Sequence, residues 1–167
     1  DDYFDHIFFS YLLEHIPNPV DALIKLKRVL KKNGTITIVE GDHGTANFYP
    51  YSALAKKAIQ CQVTIQKKNG GNANIGRSLF PLLNKANFKN VRVAPRQIYV
   101  DDSNPQWLEG FTKKTFTAMI NGVKEDAVSN NLMKREDFEK GIDDLNRTAE
   151  GGGTFSYTFY KGIGTKG

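Results

Sequence analysis

Apolar positions change spacing along the first forty residues, and the change predicts a strand, a helix and a second strand. Residues 4–9 form a short run of aromatic and β-branched side chains, typical of a strand buried on both faces. Asn18-Pro19 is a helix-start signal, and residues 19–30 carry an apolar stripe at helical spacing. The apolar run Thr35–Glu40 predicts the next strand. A strand, helix and strand in this order form a βαβ unit, so we expect the two strands to be parallel.

The rest of the chain predicts more helices and two more strands. Gly41-Asp42-His43-Gly44 is predicted to be a loop after the second strand. Helices are predicted at 51–68, 75–85, 105–129 (broken at Gly110 or Gly122) and 134–149, and strands at 91–100 and 154–160. Residues from about 104 to 150 therefore form a helical insert before the last strand. No linker divides the chain, so residues 1–167 are predicted to be a single α/β domain.

Composition and charge exclude several classes of protein. The single cysteine, Cys61, excludes an intrachain disulfide framework and is expected to be a small core residue. Three histidines without metal-ligand spacing predict no metal site. The net charge of +5 comes from lysines scattered over helix surfaces, so we expect no nucleic-acid partner. No apolar run is long enough to span a bilayer and no secretory leader precedes the first strand, so we expect no membrane partner and a cytoplasmic location.

A combination of short motifs in residues 4–40 resembles class I S-adenosylmethionine-dependent methyltransferases. The motifs are Phe4-Asp5, Leu13-Glu14-His15, Pro17 and Pro19, Arg28-Val29-Leu30-Lys31, Gly34 and Glu40. The resemblance implies a partial Rossmann-like sheet of about four strands, namely strands four to seven of the family's 3-2-1-4-5-7-6 order. The first two would be parallel and the last antiparallel, with flanking helices. Residues 74–88 also resemble the helix that precedes the sixth strand.

The resemblance implies S-adenosylmethionine as the cofactor, and the absence of a strong basic patch favours a small molecule as the methyl acceptor. The Gly-rich loop after the family's first strand and the acidic residue after its second strand have no counterpart in this sequence. The chain, which begins at Asp1, is therefore expected to be the carboxyl-terminal portion of a methyltransferase domain. Such a piece would supply the acceptor side and part of the cofactor pocket, and on its own it would bind the cofactor weakly or not at all and be inactive.

Ligands of open α/β sheets bind beyond the carboxyl ends of the strands, and this rule selects the candidate residues after the first strand. Ser10, Tyr11 and Leu12 are predicted to lie near the cofactor. Glu14 and His15 follow at the pocket edge. Glu14 is a candidate substrate contact, and His15 is either a substrate contact or general base, or a histidine that bonds to the backbone at a helix start.

Three further candidates lie later in the chain. Asp42 and His43 follow the second strand and are either an acid–base pair or, more simply, turn and pocket-lining residues. Arg77 could bind a carboxylate or phosphate of the substrate, or form a structural salt bridge with an acidic loop residue.

Aromatic residues of the helical insert are the last group of candidates. Trp107 and Phe111 lie on an apolar helical face with Phe116 and Met119. This face is either core or dimer packing, which we favour, or a lid over an apolar substrate.

A non-catalytic function is the alternative to an enzyme. Without neighbours on its outer side, the strand at 4–9 would be an open, apolar sheet edge, and such an edge can pair with another chain. We therefore expect a homodimer through this strand or the apolar sheet face. In this reading the chain is an α/β module for dimerisation or partner binding.

Overall fold

The computed structural model describes residues 1–167 and contains one four-stranded mixed sheet. The strands are β1 (Phe4–Ser10), β2 (Leu30–Tyr49), β3 (Lys89–Val100) and β4 (Thr154–Thr165). Their order is β1-β2-β4-β3, with β1 parallel to β2 and the other pairs antiparallel. This is the order expected for strands four to seven of the methyltransferase sheet. The predicted fold class is therefore confirmed.

Helical segments fall in the regions that the sequence predicts, except for the 3₁₀ turn at Leu13–His15, which lies before the first predicted helix. They are α1 (Pro19–Val29), α2 (Ala53–Lys68), α3 (Leu79–Lys85), α4 (Pro105–Trp107), α5 (Ala118–Asn121), α6 (Lys124–Ser129) and α7 (Arg135–Arg147), together with 3₁₀ turns at Leu13–His15 and Ile75–Ser78 and a π-helix at Leu108–Thr117. The break occurs at Gly122, whereas Gly110 lies inside the π-helix. None of the helices is both long and apolar enough to cross a membrane.

The chain divides into two compact units, which we describe separately. Unit 1 comprises residues 1–42, 70–96 and 158–167, and unit 2 comprises residues 43–69 and 97–157. The single-domain organisation stays a prediction. The core of unit 1 packs α1 and α3 against the β1–β2 pair, with fully buried Leu23, Ile36, Ile38 and Leu79 at its centre.

Strand β1 differs from its prediction in burial. It lies at the edge of the sheet, and Phe4 and Phe8 are 47% and 62% exposed. Ile7 and Phe9, which pair in register with Ile36 and Ile38, are partly buried against the core. The expected burial on both faces is therefore wrong, because only the face with Ile7 and Phe9 packs on the core and the alternate residue Phe8 points to the opposite face.

Strand β2 is longer than predicted. The predicted loop at residues 41–44 is wrong, since these residues lie inside the strand. The sequence Gly-Asp-His-Gly is typical of a turn, but tertiary contacts override this preference. Asp42 is ion-paired within unit 1 and His43 packs against aromatic rings within unit 2.

Unit 2 is built around helices α2 and α7 and an aromatic cluster. Gly141 allows the two helices to approach closely, because a Cβ atom there would lie 2.8 Å from the Leu54 carbonyl oxygen. Phe116 packs against Phe155 with the ring centroids 4.8 Å apart. Cys61 of α2 is buried, so its predicted place in the core is confirmed.

Candidate functional site

The backbone of the segment that follows β1 is held by two successive residues of β2. Tyr11 donates its N–H to the Val39 carbonyl oxygen at 2.8 Å. Leu12 and Leu13 donate theirs to Oε1 of Glu40, at 3.0 and 2.7 Å. Three consecutive backbone donors are thereby fixed, and the chain then turns into the 3₁₀ turn at Leu13–His15.

The three predicted cofactor residues lie together in this segment with accessible side chains. Tyr11 and Leu12 are each 42% exposed, and Ser10 is exposed as well. Tyr11 has a φ of +52°, a conformation that L-residues adopt only when the surroundings enforce it. The structure thus combines a fixed backbone with exposed side chains at the carboxyl end of β1. Their role in cofactor binding stays a prediction.

Two buried carboxyl groups lie beneath this segment. Glu40 is fully buried, and its Oε2 atom has no hydrogen-bond partner. Burial raises the pKa of Glu40, against the lowering effect of the backbone N–H groups. Burial also raises the pKa of Glu14, an effect that His15 opposes and the Glu40 charge reinforces. The charge of Glu40 therefore favours the protonated form of Glu14.

Tyr11 and His15 lie at the edge of this carboxyl pair. Burial raises the pKa of the Tyr11 hydroxyl, and the charges of Glu14 and Glu40 raise it further. The Nε2 atom of His15 lies 3.2 Å from Oε1 of Glu14, and the His15 ring is largely exposed. His15 thus contacts the Glu14 carboxylate and is exposed at the surface. This position suits a proton-transfer residue, a role that stays a prediction.

Asp42 and Arg77 form a two-bond ion pair in unit 1. Arg77 donates from Nε to Oδ2 and from a terminal nitrogen to Oδ1 of Asp42, both at 2.6 Å. The Asp42 side chain is 1% exposed and that of Arg77 53%. The pair raises the pKa of the Arg77 guanidinium. The salt-bridge alternative for Arg77 is therefore observed, and its contact with a substrate stays a prediction.

The close approach that forms this ion pair depends on Gly76. A Cβ atom at this position would lie 2.6 Å from the Glu40 carbonyl oxygen and 2.8 Å from that of Gly41. The 3₁₀ turn at Ile75–Ser78 therefore rests directly on the β2 backbone, and Arg77 reaches Asp42 from there.

His43 occupies an aromatic environment in unit 2. Its ring stacks on Phe116 at 6.0 Å and meets Tyr157 edge-on at 5.7 Å, and Nε2 lies 3.4 Å from the Met119 sulfur. Asp42 contacts Arg77, whereas His43 contacts the aromatic rings and the Met119 sulfur. Their acid–base role stays a prediction.

The aromatic residues of the helical insert differ in environment. Phe111 contacts Phe155 and Tyr157, with ring centroids 6.0 Å apart in both cases, so it belongs to the cluster of unit 2. Trp107 is 47% exposed at the end of α4. Core packing therefore accounts for Phe111, whereas Trp107 has surface available for a contact.

Glu40 is the residue of this region that the sequence analysis did not select as part of the site. The signal was present: an acidic residue ends an apolar strand and belongs to the family motif. The predicted loop at residues 41–44 placed the candidates Asp42 and His43 beyond the end of the strand, whereas Glu40 counted as its last residue. No group of three or more His, Cys, Asp or Glu side chains that could hold a metal ion is present.

Comparison with known proteins identifies the part of the chain that carries the resemblance. Residues 1–38 match the family model described as a methyltransferase domain. An uncharacterised methyltransferase of Schizosaccharomyces pombe is 29% identical over 139 residues, which cover 81% of this chain and 50% of the relative. The resemblance to methyltransferases is confirmed. The chain spans half the length of this curated relative.

Two of the solved structures that align with this chain are described as methyltransferases. A candidate methyltransferase of Bacillus halodurans aligns over 99% of this chain and 71% of its own, with 15% identity and a TM-score of 0.48. Phosphoethanolamine N-methyltransferase 2 of Haemonchus contortus, in complex with S-adenosyl-L-methionine, aligns over 98% of this chain and 33% of its own, with 15% identity and a TM-score of 0.47.

Proposed function

We propose that this chain is part of an S-adenosylmethionine-dependent methyltransferase that acts on a small molecule. The observation that carries the proposal is the β1–α1–β2 unit. It has parallel strands, and most of it lies in residues 1–38, the segment that matches the methyltransferase-domain model. The methyl acceptor is proposed to be small because the charged residues form no stripe that would suit a nucleic acid.

The segment after β1 is suited to one side of the cofactor. Ser10 offers a hydroxyl group, and Tyr11 and Leu12 offer exposed apolar surface on a backbone that is already fixed. When bound, the cofactor supplies an electrophilic methyl group on a sulfonium, so the protein has mainly to orient the acceptor in line with it. The residues described contain no Gly-rich turn between a strand and a helix. We therefore propose that the chain alone binds the cofactor weakly and is inactive.

The acceptor contacts are proposed within each unit separately. In unit 1, Glu14 and Arg77 would contact the acceptor, and His15 would accept a proton if the nucleophile must lose one. In unit 2, Trp107 would contribute exposed aromatic surface.

Calorimetric titration with S-adenosylmethionine and its demethylated product tests the proposal. The longer parent protein is expected to bind both saturably, and the 167-residue chain weakly or not at all. Tyr11→Ala in the parent should weaken binding, whereas Tyr3→Ala, which removes an exposed tyrosine just before β1, should not. Saturable tight binding by the chain alone would contradict the incomplete site. No binding by the parent would contradict the function itself.

We also propose, as the second candidate, that β1 mediates homodimerisation. Its edge position and the exposed rings of Phe4 and Phe8 favour pairing with a second copy. Sedimentation velocity should show a concentration-dependent dimer that Phe8→Lys abolishes. Phe80→Lys, a change at a phenylalanine of similar exposure on α3, should leave it intact. A wild-type monomer at high concentration, or loss of the dimer in both variants, would contradict the proposal.

A further inference from the structure

We propose that Glu40 is a positioning residue that fixes the segment Tyr11–Leu13 in the conformation that receives the cofactor. The proposal rests on the proposed function for the identity of the ligand. The hydrogen bonds that carry it do not depend on that function.

The hydrogen bonds of the Glu40 side chain indicate its structural role. A strand backbone can pair only with donors in its own register, and Val39 already accepts the Tyr11 N–H. The next two donors, on Leu12 and Leu13, leave this register as the chain turns, and a single carboxyl oxygen of Glu40 accepts both. The side chain thus continues the pairing for two residues beyond the end of β1.

Because this region is buried, the local fold needs the Glu40 oxygen as a hydrogen-bond acceptor. Leu13 and Glu40 are fully buried, so water cannot replace the carboxyl oxygen as the acceptor for the Leu13 N–H. An apolar side chain of equal size would leave that donor without an acceptor. A glutamine could still offer one oxygen to both N–H groups. Only one Glu40 oxygen is used, so this role requires an acceptor rather than a charge.

The fixed backbone affects ligand binding through the exposed side chains of the same segment. Tyr11 and Leu12 are exposed, and the backbone that carries them is held by Val39 and Glu40 of β2. A segment already held in its bound conformation avoids the loss of conformational entropy on binding. Removal of the Glu40 oxygen is therefore expected to weaken ligand binding without removing any group that touches the ligand.

Amide hydrogen exchange on the 167-residue chain tests the bonds directly. In Glu40→Leu, exchange at the Leu12 and Leu13 amides should accelerate by about tenfold or more, while the Tyr11 amide stays protected. Glu40→Gln should retain the protection, and Thr37→Val, at another buried polar position of β2, should leave it unchanged. Unchanged exchange at Leu12 and Leu13 in Glu40→Leu would overturn the proposal.

A measurement on the unmodified protein covers the case in which Glu40→Leu does not fold. The amide proton shifts of Leu12 and Leu13 should follow the titration of the Glu40 carboxyl carbon in NMR spectra. The resonances of Glu14, His15 and Tyr11 are followed in parallel, because these groups also face this region. Leu12 and Leu13 shifts that do not follow Glu40 would overturn the proposal.

Binding of the demethylated cofactor by the longer parent protein tests the functional part. Glu40→Leu should raise the Kd by about tenfold, and Glu40→Gln should stay within about threefold of wild type. Equal weakening by both variants would overturn the positioning role. If the wild-type parent binds no cofactor, the proposed function fails, whereas the exchange experiment still decides whether Glu40 fixes the segment.

Discussion

Gly76→Ala is the substitution whose effect follows most directly from the structure. The new Cβ atom would lie 2.6 Å from the Glu40 carbonyl oxygen, 2.8 Å from that of Gly41 and 2.9 Å from Cδ2 of Tyr160. Two of these neighbours are strand backbone and cannot rotate away. Relief to an ordinary contact of 3.4 Å therefore requires a shift of roughly 0.8 Å between the turn and β2.

The expected magnitude combines three effects. Overpacking typically destabilises by about 1–3 kcal/mol. Alanine also makes the unfolded chain less flexible than glycine does, and this offsets about 0.4–1 kcal/mol of the destabilisation. A shift of the turn also strains the neighbouring Arg77–Asp42 bonds, which are charge-assisted and short. The free energy of unfolding should therefore fall by about 2 kcal/mol.

Urea unfolding followed by circular dichroism measures this change, and two controls make it specific. Ser78→Ala, in the same 3₁₀ turn, should stay within about 0.5 kcal/mol of wild type. Gly110→Ala meets no atom within 4 Å and lies in a helical segment, so it should be neutral or stabilising. A loss below about 0.5 kcal/mol for Gly76→Ala, or equal losses in both glycine variants, would refute the close-approach argument.

Three more outcomes are expected. Arg77→Ala should destabilise by about 2 kcal/mol because it removes both guanidinium bonds to the buried Asp42 carboxylate. Adding Asp42→Asn should recover part of the loss in urea unfolding, and no recovery would contradict the coupling. Burial raises the pKa of Glu40 above its usual 4.5. The folded state therefore keeps a proton on Glu40 at pH values where the unfolded chain has lost it, so this group's contribution to stability falls as pH rises past 4.5. The stability of Glu40→Gln relative to wild type should therefore increase from pH 4 to pH 8, and a flat difference would contradict the raised pKa. The Cys61 thiol, buried and with a raised pKa, should react slowly with a disulfide reagent until urea unfolds the chain; rapid native reaction would contradict its burial.

Local signals in the sequence determined the order and type of most elements. Asn18-Pro19 marked the start of α1 correctly, because proline fits the first helical turn and cannot be accommodated further inside. The spacing of strand, helix and strand predicted that β1 and β2 are parallel, since a helix of this length returns the chain to the end of the sheet where the first strand began. The family motifs then gave the position of β4 between β2 and β3.

Tertiary contacts decided what the local pattern could not. The Gly-Asp-His-Gly sequence is typical of a turn, yet it continues β2 because Asp42 and His43 find partners on elements distant in sequence. Burial of β1 was overestimated for a related reason, since the elements that pack on each face of a strand are decided by the fold and not by the strand's own residues. The sequence likewise identified Glu40 as a strand end. Its structural role is visible only in the folded chain. There the turn after β1 brings the N–H groups of Leu12 and Leu13, nearly thirty positions earlier in the sequence, to one buried carboxyl oxygen of Glu40.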